Sequence, residues 1–193
     1  MNSGMLSGKI GTIIYSHTTK EKKFYKSEIS VKRLSGTEDI IPVIIPDDLA
    51  NNMRFGDMTC LLGDIRTRNV LGTDGKTHLK VFFCVKDTDK YVEDCNSITG
   101  DGYICKPPIY RKTPLGREIT DILIASNRNR FNSDYIPSIA WDGVALEAAD
   151  YAVGTHVEYE GRLQSRKYNK KLENGETIDK IAYELSISNI EIV

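Results

Sequence analysis

Hydrophobic and polar residues alternate through much of the chain, which predicts strands rather than long helices. In residues 155–166, Val157, Tyr159 and Leu163 alternate with charged or polar neighbours. This period of two is typical of a strand with one buried face. Residues 134–141 also alternate and are rich in β-branched and aromatic side chains, which favour strands. The second half of the chain is therefore expected to be built mainly from β-structure.

A short helix is predicted between these two strands. Residues 142–151 carry Val144 and Leu146 among alanines at mixed helical spacings, and Asp142 is placed to cap the start. Gly154 follows as a stop signal. A strand, a short helix, a long strand and a basic hairpin are the central elements of a small five-stranded barrel of the oligonucleotide-binding type.

The first half of the chain repeats the second. Three pairs of segments align: DIIPVIIP (39–46) with DYIPSIAW (134–141), GDIRTR (63–68) with GRLQSR (161–166), and DGKTHLK (74–80) with NGETIDK (174–180). The offset grows slowly from 95 to 100 residues, as expected of a duplicated domain whose loops have changed length. We therefore predict an all-β chain of two tandem five-stranded oligonucleotide-binding (OB) barrels, each with a short helix between strands three and four. The domains are residues 1–92 and 93–193.

The expected elements follow the same order in both halves. In the first barrel, strands are expected over 9–16, 24–33, 39–45, 57–68 and 77–86, with helix-start residues in 46–54. In the second, strands are expected over 97–106, 117–127, 134–141, 155–166 and 177–190. The charged linker, about residues 87–96, contains no Pro or Gly, so the barrels are expected to be held close together.

Composition is that of an ordinary globular protein, with 193 residues, 40% hydrophobic and 27% charged. No apolar run is long enough to span a bilayer, and residues 1–8 lack the apolar segment of a signal peptide, so we expect a cytoplasmic protein without a membrane segment. The four cysteines show no CxxC spacing, which favours reduced thiols over a zinc site.

Linked motifs in the second half resemble bacterial single-stranded DNA-binding proteins. A strand ends in aromatic–small–Gly at 141–143 and enters the helix, and VG at 153–154 opens a strand that closes on EGRLQSRKY (160–168). Upstream, PPIYRKTPLGREITDILIASNR (107–128) resembles the first hairpin and second strand of that family, and the resemblance covers roughly 96–193. It implies sequence-nonspecific binding of single-stranded DNA in replication, recombination or repair. It also implies four barrels in the working unit, hence a homodimer.

One feature of that family is missing at the carboxyl end. The family commonly ends in a flexible tail with an acidic, Phe-terminated tip that recruits repair enzymes, whereas this sequence ends at 191–193 without one. No tail-recruited partner is therefore expected. An accessory, phage or mobile-element role becomes plausible.

The charge distribution predicts a confined basic path. Residues 1–92 have 14 Lys and Arg against 11 Asp and Glu, so +3, and residues 93–193 have 12 against 16, so −4. Because the half that carries the family motifs is acidic, local placement must decide where a polyanion binds. The expected phosphate contacts are Arg128, Arg130, Arg162, Arg166, Lys167, Lys170 and Lys171. A solvated hairpin face is the alternative interpretation of these charges.

Four aromatic side chains are the candidate platforms for base stacking: Phe131, Tyr135, Trp141 and Tyr168. Every base has a π-face, so a sequence-indifferent binder needs such platforms beside cations. They fall where the resemblance places the family's stacking positions, although Trp141 is the only Trp. The alternative is that these aromatics belong to the barrel core.

The aligned positions of the first half are not aromatic. Ile40 stands opposite Tyr135, Pro46 opposite Trp141, and Val70 opposite Tyr168. The first domain is therefore interpreted as an OB-like barrel that lacks aromatic platforms and mainly assembles the oligomer.

No pattern in the sequence points to catalysis. The three histidines lie far apart, and neither GxxxxGK[ST] nor GxGxxG is present, so we expect no enzyme, no catalytic residue, no metal and no cofactor. Two alternatives to DNA binding stay open: an oligomerisation or protein-interaction module, and a binder of single-stranded RNA.

Overall fold

The fold consists of strands with two short helices. The computed structural model describes residues 1–72, 74–93, 95–171 and 175–193, and of residues 170 and 171 the backbone only. The first half comprises β1 (Asn2–Ile10), β2 (Ile14–Thr19), β3 (Lys22–Lys32), β4 (Glu38–Pro46), α1 (Asp47–Ala50), β5 (Met58–Leu71) and β6 (Thr77–Asp89). The second half comprises β7 (Asn96–Ile104), β8 (Ile109–Lys112), β9 (Glu118–Asn129), β10 (Asn132–Trp141), α2 (Asp142–Ala149), β11 (His156–Lys171) and β12 (Thr177–Ile192).

Each half closes into a five-stranded barrel. In the first, the order is β1-β3-β4-β6-β5 and back to β1, with β4 and β6 parallel and the other pairs antiparallel. In the second, β7, β9, β10, β12 and β11 close in the same way, with β10 and β12 parallel. The predicted fold, all-β with two tandem OB barrels and a short helix between strands three and four of each, is confirmed.

The first strand of the first barrel differs from the expectation because it is split. The expected strand 9–16 is divided between β1 and β2, and β2 lies outside the closed barrel on the edge of β3. In the second barrel β7 lies close to the expected strand 97–106, and the separate strand β8 follows Pro107–Pro108 and pairs with β9. Proline cannot donate to a strand ladder, so the chain leaves the barrel there and returns as a separate edge strand.

Alternation along the strands fills the barrel interiors, as the sequence pattern predicts. Leu6, Ile29, Ile65 and Phe83 are fully buried in the first barrel. In the second barrel Ile98, Ile124, Ile136 and Leu163 are fully buried.

A glycine interrupts the register of strand four in both barrels. The ladder shifts at Gly63 in β5 and at Gly161 in β11. A Cβ at Gly63 would lie 2.1 Å from the carbonyl oxygen of Cys84, and one at Gly161 would lie 2.3 Å from that of Ser186. Only glycine allows the two backbones to approach so closely at these bulges.

The two helices are shorter than the sequence suggested. α1 covers four residues instead of the expected 46–54, and α2 ends at Ala149. The predicted cap by Asp142 is wrong: Trp141 is the N-cap residue and no side chain caps the helix, while Asp142 has φ of +52°. Its carboxylate instead accepts a hydrogen bond from Arg117 at 2.8 Å. In the described ranges no helix is long and apolar enough to cross a membrane.

The two barrels are joined through their first strands. β1 pairs antiparallel with β7, with Asn2 opposite Gly100 and Leu6 opposite Asn96, so that one sheet of twelve strands runs through both barrels. Asn2 crosses to strand four of its own barrel, where its amide bonds the backbone N–H and C=O of Ile65 at 2.7 and 3.2 Å. Asn96 makes the equivalent pair of bonds in the second barrel, so the junction repeats the internal symmetry of the sequence.

A buried carboxylate of the first barrel reaches the second. Asp39 is fully buried and accepts hydrogen bonds from the guanidinium of Arg33 at 2.6 and 2.7 Å. It also accepts the backbone N–H of Ser165, in β11, at 2.7 Å. The Ser165 hydroxyl accepts the N–H of Ile40 at 3.1 Å, so the contact is made in both directions.

A second buried carboxylate makes the reciprocal contact. Asp134, also fully buried, is bonded by Arg128 at 2.5 and 3.0 Å and accepts the backbone N–H of Thr67, in β5, at 2.7 Å. Arg66 of the first barrel adds a bond to the same carboxylate at 3.2 Å. Each barrel therefore places one arginine–aspartate pair against strand four of the other.

Replacing Asp134 by Asn should destabilise the whole molecule. The change removes the carboxylate that holds Arg128 and one of the two carboxylates that bond Arg66, which keeps Asp64. We expect the free energy of unfolding to fall by about 3 kcal/mol. Urea denaturation followed by circular dichroism measures this loss. The matched control is Asp121→Asn. Arg111 donates to the Asp121 carboxylate at 2.7 Å on the protein surface, and the loss of this ion pair should cost less than about 1 kcal/mol. Equal losses in the two variants would contradict the proposed importance of the buried pair.

Candidate functional site

A groove of about 830 Å³ is lined by both barrels. From the first barrel come His17, Phe24 and Ile44, and from the β11–β12 hairpin of the second come Tyr168, Ile181 and Tyr183. The hairpin can reach the first barrel because Asp39 holds Ser165, three residues before Tyr168. The buried contacts between barrels thus position the groove.

The groove is strongly cationic. In the part of the chain that the structure describes, its lining includes five basic side chains and one carboxylate: Lys26, Arg66, Arg68, Lys80, Arg128 and Glu184. Arg66 and Arg128 bond to Asp134, whereas Lys26, Arg68 and Lys80 are exposed and form no ion pair within the part of the chain that the structure describes. Three free cations beside aromatic and apolar walls suit a ligand that is both anionic and planar.

Tyr168 is the predicted platform that lies in this groove. Its side chain is 37% exposed, and the Arg166 guanidinium lies 5.8 Å from the centre of its ring. Lys167 is exposed and stands opposite Ile181, a residue of the groove, in the β11–β12 ladder. The predicted cluster of Tyr168 with basic neighbours is therefore present at the end of this hairpin.

Trp141 and Tyr135 lie on the outer face of β10, which also carries Pro137 of the groove lining. They alternate there with Ile136 and Ala140, which point into the core. Tyr135 is 45% exposed, and Trp141 is partly exposed. This arrangement places both rings outside the core, against the alternative that they are core residues.

The Trp141 ring is held by two polar contacts. The Arg117 guanidinium lies 4.6 Å from the ring centre, and the indole Nε1 donates to the Ser186 hydroxyl at 3.1 Å. Arg117 is in turn fixed by Asp142. Sequence reasoning did not include Arg117 among the site residues, although its place directly after the Gly116 turn was visible.

Phe131 lies at the turn between β9 and β10 and is 86% exposed. Arg130, the neighbouring turn residue, places its guanidinium 5.8 Å from the ring centre. A ring this exposed is accessible to a ligand. The turn is distant in sequence from Tyr168 and contributes nothing to the groove lining described above.

Several predicted phosphate contacts are already paired within the protein. The hydrogen bonds with Asp134 raise the pKa of Arg128, and those with Glu184 at 3.0 and 3.2 Å raise the pKa of Arg166. Both cations keep their charge, but part of it is neutralised by these carboxylates. Lys167 and Arg130 are exposed without an ion pair in the described ranges.

Arg162 lies between the barrels rather than on an open surface. It is half-buried, and burial together with the nearby charge of Arg33 lowers its pKa. Its bond to the Gln164 side chain is long, at 3.5 Å. Two further predicted contacts, Lys170 and Lys171, have side chains outside the described part of the chain.

The alignment of the two halves missed an aromatic pair in the first barrel. The rings of His17 and Phe24 are stacked, with centroids 5.1 Å apart and planes 12° apart, and both line the groove. The aligned positions Ile40 and Pro46 are not aromatic, as the sequence shows, but Phe24 is the strand partner of Pro46. The signal that could have found it is this cross-strand neighbour, which a position-by-position alignment ignores.

Among the described residues, no group of three or more His, Cys, Asp or Glu side chains is arranged to hold a metal ion.

The comparisons with known proteins agree with the arrangement of strands. The sequence model of the single-strand binding protein family matches residues 95–193, slightly more than half of the chain. The chain belongs to the single-strand binding protein family. No curated protein matches it.

Two solved structures of the single-stranded DNA binding protein from Thermus aquaticus have the same fold. The wild-type protein superposes with a TM-score of 0.75 at 17% identity, covering 100% of this chain and 93% of that one. A deletion mutant gives a TM-score of 0.74 at 17% identity, covering 100% and 94%. The likeness extends over both barrels, including the first, which the family match does not cover.

Removing the Arg117 side chain should expose the single tryptophan. Arg117→Ala takes away the group that covers one face of Trp141, so quenching of its fluorescence by acrylamide should increase. The cost in unfolding free energy should be about 0.5–1 kcal/mol, as for an exposed cation–π contact. The matched control is Arg111→Ala, which removes an exposed arginine that bonds to Asp121 and should leave quenching unchanged. Increased quenching in both variants would show that the effect is not local.

Proposed function

We propose that this protein binds single-stranded DNA without preference for base sequence and protects strands exposed in replication, recombination or repair. Bases stack on aromatic side chains while lysines and arginines contact the phosphates. Membership of the single-strand binding protein family supports this function. The observation that carries it is the groove, where free cations lie beside Tyr168 and Phe24.

The chemistry of the groove fits a single strand better than a duplex. A single strand presents unstacked bases next to its phosphates, and a stacked base contributes about 1–3 kcal/mol. Tyr168 offers such a stacking partner, and Lys26 and Lys80 provide charges that a phosphate can neutralise. The binding is proposed to be indifferent to sequence, since stacking and phosphate contacts do not depend on which base is present. The role is binding rather than catalysis.

The outer face of the second barrel is proposed as a further contact area for the same strand. Trp141 with Arg117, Tyr135 and the exposed pair of Arg130 and Phe131 provide rings and cations there. On this proposal residues 93–193 carry a large share of the stacking. The division at residues 92 and 93 falls in the segment between β6 and β7.

A homodimer is proposed as the working unit, which brings four barrels together. β2 and β8 are the two ends of the twelve-stranded sheet and therefore present unpaired edges. Each edge also exposes apolar residues at equivalent positions: Ile14 and Tyr15 are 52% and 54% exposed, and Ile109 and Tyr110 are 63% and 39% exposed. We propose that contact between chains uses such an edge, in the first instance β2 of the first barrel.

Titration with a homopolymer of deoxythymidine tests the proposed function. Quenching of Trp141 fluorescence that weakens steeply with salt is expected, because each neutralised phosphate releases counterions and lowers log K by about 0.7 per log unit of salt. Two substitutions should then have different effects on a plot of log K against the logarithm of the salt concentration. Tyr168→Ala should weaken binding by about 1–3 kcal/mol with little change in slope, whereas Lys26→Gln should lower the slope by nearly one contact.

Lys90→Gln is the control for Lys26→Gln, because Lys90 is exposed in the segment between the barrels and should change neither quantity. Unchanged affinity in Tyr168→Ala would contradict the stacking proposal. Tighter binding of single-stranded RNA than of DNA would assign the groove to RNA, and absence of binding to any nucleic acid would favour a protein-interaction module.

The assembly is tested by light scattering. At micromolar concentration the full chain should have twice its mass of 21.7 kDa. Tyr15→Lys should shift the mass toward that of one chain, since a charge on an edge strand opposes pairing. Phe55→Lys, at a residue that is 73% exposed outside any strand, serves as the control and should leave the dimer intact. A parent protein with the mass of one chain would refute the proposed dimer.

A further inference from the structure

The stacked pair of His17 and Phe24 has the features of a surface platform. His17, in β2, is exposed and packs nearly parallel on Phe24, in β3, which is half-buried. The hydroxyl of Ser16 lies 3.0 Å from His17 Nδ1 and fixes the ring. Neither ring belongs to the buried core of the barrel. Such a pair leaves a flat, partly polar surface facing the groove.

The pair occupies the same place in the first barrel as Trp141 in the second. Phe24 pairs with Pro46 in the ladder of β3 and β4. The offset of 95 residues carries this pair onto Ile119 and Trp141, which are partners in the ladder of β9 and β10. Cross-strand partners point to the same side of a sheet. An aromatic ring therefore lies on this face of both barrels. The third strand in chain order, β3, supplies it in the first barrel as Phe24, and β10 supplies it in the second as Trp141.

The surroundings of the pair favour an anionic ligand with an apolar, planar part. Lys26, on the same strand as Phe24, and Lys80 are exposed and line the same groove. Pro42 and Ile44 add an apolar wall. Among the described residues of the lining, the only carboxylate is that of Glu184, which accepts hydrogen bonds from Arg166. A nucleotide of a single strand fits this combination through its base and its phosphate.

We infer that His17 and Phe24 form a nucleobase-stacking site of the first barrel, and that Tyr168 from the second barrel's hairpin completes it. This inference rests on the proposed binding of single-stranded DNA and adds a site that the sequence interpretation of residues 1–92 as a barrel without platforms did not contain. One strand then contacts residues of both barrels within a single groove.

The test measures the binding of deoxythymidine oligonucleotides to full-length variants. His17→Ala and Phe24→Leu, alone and together, should raise Kd, with the double variant about 5- to 150-fold weaker than the parent. The dependence on salt should stay the same, because stacking releases no counterions. Phe55→Ala is the matched control: it removes an exposed aromatic of the first barrel from outside the groove and should leave Kd unchanged.

A second measurement identifies the contact directly. An oligonucleotide with a single 5-iodouracil is irradiated in complex with the parent protein, and the crosslinked peptides are identified by mass spectrometry. Crosslinks within β2 and β3 are expected, and they should disappear in the double variant while quenching of Trp141 in the second barrel persists. His17→Ala carries the test if Phe24→Leu fails to fold by circular dichroism, since His17 is exposed.

The possible failures are distinguishable. If the parent binds single strands but the variants bind within twofold of it and crosslinks map to the second barrel alone, the inferred site is refuted while the proposed function stands. If the parent binds no single strand under any salt condition, the proposed function fails and the inferred site fails with it. Binding of an acidic peptide in the groove, together with no binding of oligonucleotides there, would likewise overturn the inference.

Discussion

The carboxylates of Asp39 and Asp134 are withdrawn from water, and each must be satisfied by partners that the fold brings to it. Burying an unpaired carboxylate would cost several kcal/mol, so each needs both its own barrel's arginine and a backbone N–H of the other barrel, from Ser165 or Thr67. A backbone N–H on a regular strand has a fixed direction, so each of these hydrogen bonds forms only when the two barrels have one relative orientation. The pairing of β1 with β7 permits the two barrels to lie side by side, and the two carboxylates fix how they do so. The groove exists as a consequence of this fixed arrangement.

The same contacts explain how a chain of net charge −1 can present a cationic surface. The carboxylates of Asp39 and Asp134 are bound by arginines and backbone amides inside the protein. The exposed Lys26 and Lys80 side chains can therefore bind an anionic ligand. Other acids lie toward the start of β11: Glu158 and Glu160 line a separate cleft with Asp101 and Glu191. Eight residues separate Glu160 from Tyr168, roughly 26 Å along an extended strand and well beyond the screening length at physiological salt. Strand β11 therefore carries acidic residues near its start and basic residues near its end, and the net charge of the domain does not reveal this separation.

Much of the fold could be predicted from the sequence because alternation and duplication are local, repeated signals. The order of strands and helices and the equivalence of Asp39 with Asp134 follow from patterns within each half, whereas the borders of β1 and of the two helices did not. The candidate site was less accessible, since it depends on contacts between the halves. Sequence reasoning placed Tyr168 among cations but could not show that its hairpin faces the first barrel. It also counted Arg128 and Arg162 as open phosphate contacts, although tertiary structure commits the first to Asp134 and half-buries the second.

The comparison of Trp141 with Pro46 shows why aligned positions are a weak guide to equivalent surfaces. A sheet presents a face, and either member of a cross-strand pair can supply the side chain that covers a given patch of it. In the second barrel the ring comes from β10, with Ile119 beside it on β9, and in the first it comes from Phe24 on β3, with Pro46 beside it on β4. Pro46 is the last residue of β4, where a missing backbone N–H is tolerated. The two halves therefore differ at the aligned positions of this patch and still carry an aromatic ring on the same face.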